Sequence, residues 1–145
     1  GDNFDPEGGH VIGALIRKTF SAKLQGATEV EVWGSGMPRR EFLYVDDLAD
    51  ALVFLIQRYS DIPHVNVGSG TDVSIGELAE AIASTVGYSG RLRYDRSRPD
   101  GVPQKLLDCA RLRNLGWTAK TALRDGLRLT CGWYRQHHLG VPEAH

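Results

Sequence analysis

Residues 64–95 read HVNVGSGTDVSIGELAEAIASTVGYSGRLRYD, and this stretch decides the fold. Apolar residues recur every three or four positions over 75–86, which predicts an amphipathic helix with one buried face. On either side, residues 64–67 and 91–95 alternate between apolar and polar side chains, which is typical of strands. A helix between two strands indicates an α/β or α+β arrangement.

The residues at the ends of this helix support the same boundaries. Ser74 and Glu77 stand three residues apart, the spacing of a capping box, and Gly87 is a natural helix stop. Similar periodicities predict further helices, with Asp46 or Asp47 as the N-cap of the second one. The remaining predicted elements are helices over 10–24, 47–59, 109–115 and 122–137 and strands over 29–33 and 41–45.

The composition is that of an ordinary globular domain. The chain has 145 residues, of which 41% are apolar and 24% charged, and its net charge is -1. This balance argues against disorder, nucleic-acid binding and a membrane partner. The two cysteines, Cys109 and Cys131, predict a reducing, cytoplasmic location and act as small apolar fillers. Because neither cysteine has ligand spacing, we expect no metal site.

A short glycine loop follows the first strand of the opening stretch. Gly68-Ser69-Gly70 lies between a predicted strand and a predicted helix, which is the setting of a dinucleotide-binding loop. Val73 stands where the fingerprint requires its third glycine. We therefore favour a turn that leads into the Ser74 cap over a cofactor loop.

Two other loops, over 34–40 and 96–105, are polar and rich in turn residues. Loops on a rigid scaffold often carry binding groups. Arg39 and Arg40 in the first loop are consistent either with a solvated pair or with guanidinium groups that bind a phosphate. Lys105, at the end of the second loop, has the same two interpretations.

Histidine and tryptophan residues give weaker signals. The position of His10 at the start of the first helix favours a surface or capping residue, and the alternative is a proton donor. Trp33 is either a packing anchor or a base-stacking residue, because it ends a strand beside the first loop. Trp117 and Trp133 are predicted to lie in the core. From the residues alone, the chain is an α/β domain with candidate anion-binding loops.

Residues 33–50, WGSGMPRREFLYVDDLAD, resemble the extended short-chain dehydrogenases/reductases that act on nucleotide sugars. Three further segments are similar to the GDP-L-fucose synthase family within that group. They are GDNFDP with HVIGALIRK (1–6 and 10–18), VNVGSGTDVSIGELAEAIASTVGYSG (65–90) and RPDGVPQKLLDCARLRNLGW (98–117).

The resemblance implies an α/β, NAD(P)-binding Rossmann-like fold that is only partly contained here. Residues 1–137 would form the C-terminal, GDP-sugar-binding portion with elements that pack on the Rossmann sheet, followed by a flexible tail over 138–145. The N-terminal dinucleotide-binding half is absent from this sequence. The family is an oxidoreductase and isomerase that converts GDP-4-keto-6-deoxy-D-mannose to GDP-L-fucose with NADPH. We expect this fragment alone to be inactive and the full-length enzyme to be a homodimer.

The family pattern also assigns roles to individual residues. His10 corresponds to the acid that reprotonates the sugar, whereas neither Cys109 nor Cys131 matches the family's cysteine base, which lies in the other half. The residues implied to bind the substrate are Lys18 (with Arg17 as a substitute), Trp33, Arg40 and Lys105. The resemblance places no cofactor-binding residue in this fragment.

Departures from the family pattern lie around two of these residues. The family has Asn-Ser before the histidine and Pro three residues after it, where this chain has Gly8-Gly9 and Gly13, so we expect a more mobile loop. Gln104 replaces a common Arg. Two alternatives therefore stay open: another nucleotide-sugar epimerase or dehydratase, and a non-catalytic nucleotide-binding module.

Overall fold

The computed structural model describes residues 3–5 and 9–140, and within them helices and strands alternate as the sequence predicts. The helices are α1 (Val11–Gln25), α2 (Val45–Arg58), α3 (Ile75–Val86), α4 (Ala110–Asn114) and α5 (Leu123–His138). The strands are β1 (Glu29–Trp33), β2 (Arg39–Glu41), β3 (Asp72–Ser74), β4 (Arg91–Asp95) and β5 (Gln104–Lys105). The α/β prediction is confirmed. None of the described helices is long and apolar enough to cross a bilayer.

The strands form two small sheets. In the first, β1 and β4 pair in parallel, with Glu29 opposite Arg91 and Trp33 opposite Asp95. One face is a charged ladder, in which Glu29 accepts from Arg91 at 2.8 Å and from Arg93 at 2.9 Å. In the second sheet, β2 lies between antiparallel β3 and parallel β5. This second sheet carries most of the polar side chains discussed below.

The main core lies between the first sheet and three helices. α1 packs against β1 and α3, and α3 packs against α5. The deepest side chains, Ile16, Leu78 and Ile82, are fully buried. α3 shows why the prediction was accurate here, since the Ser74–Glu77 capping box is formed and Gly87 ends the helix in the left-handed region at φ 69°.

A second, smaller cluster surrounds the inner side of α2. Ala51, Leu112 and Trp117 are buried together, which confirms Trp117 as a core residue. The outer side of α2 is apolar but exposed, with Ile56 83% accessible. Other exposed apolar residues of this helix are Val45, Leu48, Leu52 and Val53. This chain therefore covers only one side of α2.

Several sequence-based expectations were wrong. Residues 64–67 form no strand, because no strand in the described part of the chain pairs with them. The strand predicted over 41–45 lies earlier, at β2, where β3 and β5 supply its partners. Trp133 is 37% exposed and stacks on His137 instead of entering the core. Residues 141–145 of the predicted tail lie outside the described residues.

The predicted N-cap of α2 is also wrong. Tyr44 holds that position, and its side chain makes no capping bond. Asp47 lies inside the first turn, buried, and accepts the backbone N–H groups of Lys120 at 3.1 Å and Thr121 at 2.8 Å. Asp47 therefore anchors the segment before α5 instead of capping its own helix.

Candidate functional site

The alternation of side chains along β2 separates the two adjacent arginines. Arg39 and Glu41 face one side of the sheet, and Arg40 faces the other. Arg39 donates from Nε to Asp72 Oδ1 at 2.8 Å and from Nη2 to the Asp72 carbonyl at 3.1 Å. The Gln104 amide and the Arg39 guanidinium together hold the pKa of the Asp72 carboxyl below its usual range. Arg39 is thus part of an internal ion pair.

Arg40 and Lys105 lie opposite each other on adjacent parallel strands. The Arg40 Nη1 donates to the Arg39 carbonyl at 2.7 Å. Within residues 3–5 and 9–140, neither of these two cations takes part in an ion pair. Like charges directly opposite on neighbouring strands repel each other. A bound anion would relieve this repulsion, and a diphosphate suits a guanidinium beside an ammonium.

A groove leads from Arg40 towards the start of α1. One cavity of about 290 Å³ is lined by Arg40, and a second, mostly apolar cavity of about 560 Å³ is lined by Phe4 and Ile12. Ile12 lies two residues after His10. The two cavities share the lining residues Phe42, Thr121, Ala122 and Leu123. The two cavities therefore adjoin along these residues, and together they are called the groove.

The indole of Trp33, at the end of β1, contacts two cations. Lys18 Nζ lies 4.5 Å from the ring centroid, and the guanidinium carbon of Arg98 lies 4.6 Å from it. The indole nitrogen donates to Glu31 Oε2 at 3.0 Å. Cation–π attraction therefore draws both side chains to the ring. The structure brings Lys18 and Trp33 together and adds Arg98 to them.

Asp100 fastens the second polar loop to the first. Its carboxylate accepts the Ser35 backbone N–H at 2.6 Å and the Ser35 hydroxyl at 2.7 Å, and these bonds hold the pKa of the Asp100 carboxyl below its usual range. Gly34 has φ 83°, and a Cβ there would collide with this carboxylate. The Arg39 N–H also donates to the Pro103 carbonyl at 2.7 Å. The two loops therefore form one packed unit.

His10 is the N-cap residue of α1, with an exposed side chain that does not cap the helix. It precedes Lys18 by eight residues, about 12 Å along a helix axis. A Cβ on Gly9 would lie 2.5 Å from the Asn3 carbonyl oxygen, and one on Gly13 would lie 2.6 Å from it. These two departures from the family pattern thus permit close backbone packing, which the sequence reasoning did not foresee. Gly8 lies outside the described residues.

The two cysteines are structural, as predicted. Cys109 and Cys131 are 3% and 4% exposed and form no disulfide. Burial raises the pKa of the Cys131 thiol to about 12, and burial also raises that of Cys109. Neither thiol is suited to act as a base near neutral pH, since the thiolate is the reactive form. The described residues contain no group of three His, Cys, Asp or Glu side chains arranged to hold a metal ion.

Sequence reasoning missed three polar residues of this region. Arg98 and Asp100 were noted only as members of a polar loop, and Glu41 only as part of a motif. Asp before Gly indicates a turn at Asp100, but this signal does not identify its partner Ser35, which is 65 residues away. Arg98 and Glu41 carried none, because their partners are distant in sequence.

Comparison with known proteins shows which proteins this chain resembles. The model of the NAD dependent epimerase/dehydratase family matches residues 1–68. The structure of a GDP-L-fucose synthetase from Naegleria fowleri bound to NADP superposes with a TM-score of 0.89 at 29% identity, covering 98% of this chain and 45% of that one. The chain is therefore similar to proteins of the NAD dependent epimerase/dehydratase family, and its structure corresponds to part of their Rossmann-like α/β fold.

In sequence, the chain is similar to GDP-L-fucose synthases. It is 57% identical to GDP-L-fucose synthase 1 of Arabidopsis thaliana over 133 residues, which are 92% of this chain and 41% of that protein. It is 46% identical to the GDP-L-fucose synthase of Escherichia coli (strain K12), covering 94% of this chain and 45% of that protein. The chain thus spans less than half the length of these relatives, in their C-terminal part. The predicted resemblance is confirmed.

Proposed function

We propose that the intact protein containing this chain converts GDP-4-keto-6-deoxy-D-mannose to GDP-L-fucose with NADPH, as an epimerase and reductase. The observation that carries this proposal is the Arg40–Lys105 pair, two cationic residues in register on neighbouring strands, of which Arg40 lines the groove. The 57% identity to a GDP-L-fucose synthase supports the choice of substrate. The role of this chain would be to bind the GDP-sugar and to supply one proton-transfer residue.

Arg40 and Lys105 would bind the diphosphate, with Arg40 offering paired N–H donors and Lys105 a mobile point charge. Lys18 and Trp33 would line the nucleotide side of the site, where the ring and the ammonium are already in contact. The groove past Phe42 would then carry the sugar towards the start of α1. This arrangement assigns the nucleotide to one end of the groove and the chemistry to the other.

His10 would act as the general acid at that chemical end. A ketone acidifies the protons on its two flanking carbons, so each centre can be inverted by removing a proton and returning one to the opposite face. Histidine is the side chain that most often transfers protons in catalysis. His10 therefore suits the reprotonation step.

The other catalytic groups would come from the N-terminal part that the relatives possess. NADPH bound there would supply the hydride that reduces the ketone. The Gly70 N–H donates to the Glu41 carboxylate at 2.6 Å, which supports our interpretation of residues 68–70 as a turn and not a cofactor loop. The burial of Cys109 and Cys131 supports a base outside this chain. We accordingly propose that this fragment alone binds NADPH negligibly and has no turnover.

The exposed face of α2 supports a further part of the proposal. This face and the unpaired 64–67 segment would pack on the N-terminal sheet. Such docking would explain why a 14-residue helix buries only one apolar side chain, Ala51. The intact enzyme would be a cytoplasmic homodimer, and sedimentation of the intact protein would measure its subunit number.

The direct test is turnover by the intact protein. We expect NADPH-dependent conversion of GDP-4-keto-6-deoxy-D-mannose, detected by loss of absorbance and by chromatography of the product. Parallel assays with UDP- and dTDP-sugars address the first alternative, another nucleotide-sugar epimerase or dehydratase. A preference for UDP-sugars would refute the proposed substrate. GDP binding without any turnover would instead favour the non-catalytic module.

Single substitutions in the intact protein separate binding from chemistry. His10→Ala should leave GDP binding largely intact and slow epimerisation by about a hundredfold or more. Arg40→Ala and Lys105→Ala should mainly weaken GDP binding, measured by calorimetric titration. Arg39→Ala is the matched control, because its guanidinium is already paired with Asp72. Normal turnover by the His10 variant would refute the acid assignment.

A further inference from the structure

The carboxylate of Glu41 joins three segments that are distant in sequence. Its Oε1 accepts the Gly70 N–H at 2.6 Å and the Ser69 hydroxyl at 3.3 Å. Its Oε2 accepts the Leu107 N–H at 2.9 Å. Both carboxylate oxygens are therefore bonded, one to the 68–70 loop and one to the segment that follows β5.

The approach of this carboxylate to the 68–70 loop is so close that it excludes a side chain at Gly68. A Cβ at Gly68 would collide with both oxygens and with the carboxyl carbon of Glu41. Gly68 has no positive φ that would otherwise require glycine. The close approach of Glu41 thus accounts for the small residue at this position.

The Leu107 bond bears directly on the position of Lys105. β5 has only two residues, so its own ladder holds it weakly against β2. Two further hydrogen bonds hold this pairing, one at each end of β5. The Arg39 N–H donates to the Pro103 carbonyl before β5, and the Leu107 N–H donates to the Glu41 carboxylate after it. Glu41 directly follows Arg40 in β2, so one strand carries both the cation and the carboxylate that holds the segment after β5.

These hydrogen bonds are needed because Arg40 and Lys105, on neighbouring strands, repel each other. Without an anion between them, this repulsion favours separation of β5 from β2. The bonds of Glu41 oppose that separation from the other side of the sheet. The geometry therefore keeps the backbones of two cationic residues in register on neighbouring strands before any ligand arrives.

We propose that Glu41 is a positioning residue for nucleotide binding, which acts by holding β5 in register so that Lys105 stays opposite Arg40. This inference rests on the proposed function of Arg40 and Lys105 as diphosphate contacts. Glu41 itself touches no substrate; its carboxylate lies on the opposite face of β2 from Arg40. Loss of the Glu41 carboxylate would displace Lys105 from its position opposite Arg40 without removing either binding residue.

The experiment is calorimetric titration of the intact protein with GDP. Glu41→Gln keeps the size of the side chain but replaces one acceptor by an N–H₂ group, which faces a backbone N–H. We expect the Kd for GDP to rise about tenfold, with the binding stoichiometry unchanged. In steady-state kinetics, KM should rise while kcat stays within about twofold. Gly68→Ala should raise Kd in the same way by displacing the carboxylate.

A merely structural role would give a different result. Ser74→Ala removes the α3 cap and serves as a stability control that should leave Kd unchanged. A Glu41 variant that lowered the stoichiometry at constant Kd, as a partly unfolded sample does, would overturn the proposal. A variant that kept the normal Kd would overturn it too. If Glu41→Gln fails to fold, Gly68→Ala decides between the same outcomes.

A double-mutant cycle separates this inference from the proposed function. In a Lys105→Ala background, Glu41→Gln should add less than about a twofold change in Kd, because the group it positions is gone. An undiminished effect would contradict the positioning role. If Arg40→Ala and Lys105→Ala themselves leave Kd unchanged, the proposed diphosphate site is wrong. If they raise Kd and Glu41→Gln does not, only the positioning role is wrong.

Discussion

α3 and α2 are helices of similar length whose surroundings differ sharply. α3 buries five apolar residues over its 12 positions, whereas α2 buries Ala51 as its one apolar residue over 14. Helices α1 and α5 and the β1–β4 sheet cover α3, and all of them belong to this chain. α2 is covered on one side only. The chain therefore completes one core and contributes one surface to another, and the predictions below probe this difference.

The largest effect should come from a cavity in the completed core. Leu78 in α3 is fully buried, so Leu78→Ala should lower the free energy of unfolding by about 3 kcal/mol, measured by urea denaturation. Leu52→Ala in α2 is the matched control, since Leu52 is 50% exposed and should lose less than about 1 kcal/mol. If both substitutions lowered the free energy of unfolding equally, α2 and α3 would not differ in how well they are covered.

An intermediate effect should come from the anchor of α2. Asp47→Ala would leave the partly buried N–H groups of Lys120 and Thr121 without their acceptor, which should destabilise the protein by about 2 kcal/mol. Amide hydrogen exchange should show the loss mainly in α2 and α4, with α3 still protected. Asp47→Asn keeps an acceptor oxygen and should restore most of the protection. Uniform loss of protection would show one cooperative unit.

A smaller, pH-dependent effect should appear at Asp50. The Trp117 indole N–H, at 2.8 Å, and the Lys120 ammonium hold the pKa of the Asp50 carboxyl below its usual range. The stability it contributes is therefore present above the usual aspartate pKa and is lost as pH falls through the lowered value. Asp50→Asn should lower the urea midpoint near neutral pH and converge with the parent chain in acid. A constant difference at all pH values would contradict this assignment.

The smallest effect on stability should come from the uncovered side of α2. Ile56 is 83% exposed, so Ile56→Ser should change the free energy of unfolding by less than about 0.5 kcal/mol. The same substitution should reduce self-association of the 145-residue chain, because a contiguous apolar face promotes it. Light scattering at increasing protein concentration measures this. Arg58→Ser, at the end of the same helix, is the control that should leave association unchanged.

This difference also explains how far the sequence could predict the fold. Both helices were found from the same three-four spacing, but periodicity does not reveal what covers an apolar face. The 64–67 segment has the alternation of a strand, yet pairing requires a neighbour that the described residues do not provide. β3 and β5 have three and two residues, too few for a pattern, and exist because β2 pairs with them.

The candidate site divides in the same way. Arg40 and Lys105 were named from their motifs, and Lys18 with Trp33 from the family pattern. Arg39 forms an ion pair and Arg40 does not, and this difference depends on the strand register. A local sequence pattern does not predict that register. Glu41 and Arg98 act through partners 28 to 66 residues away. Their roles follow from tertiary contacts alone.

The parallel pairing of β1 with β4 has a consequence for how the chain acquires its shape. Glu29 and its partner Arg91 are 62 residues apart, so closing this ladder requires a long loop to lose its conformational freedom. Folds rich in such distant contacts form slowly. During synthesis β1 would leave the ribosome well before β4 exists to pair with it. Until β4 is made, packing against α1 would therefore be what keeps the apolar side of β1, with Val30 and Val32, from associating with other chains.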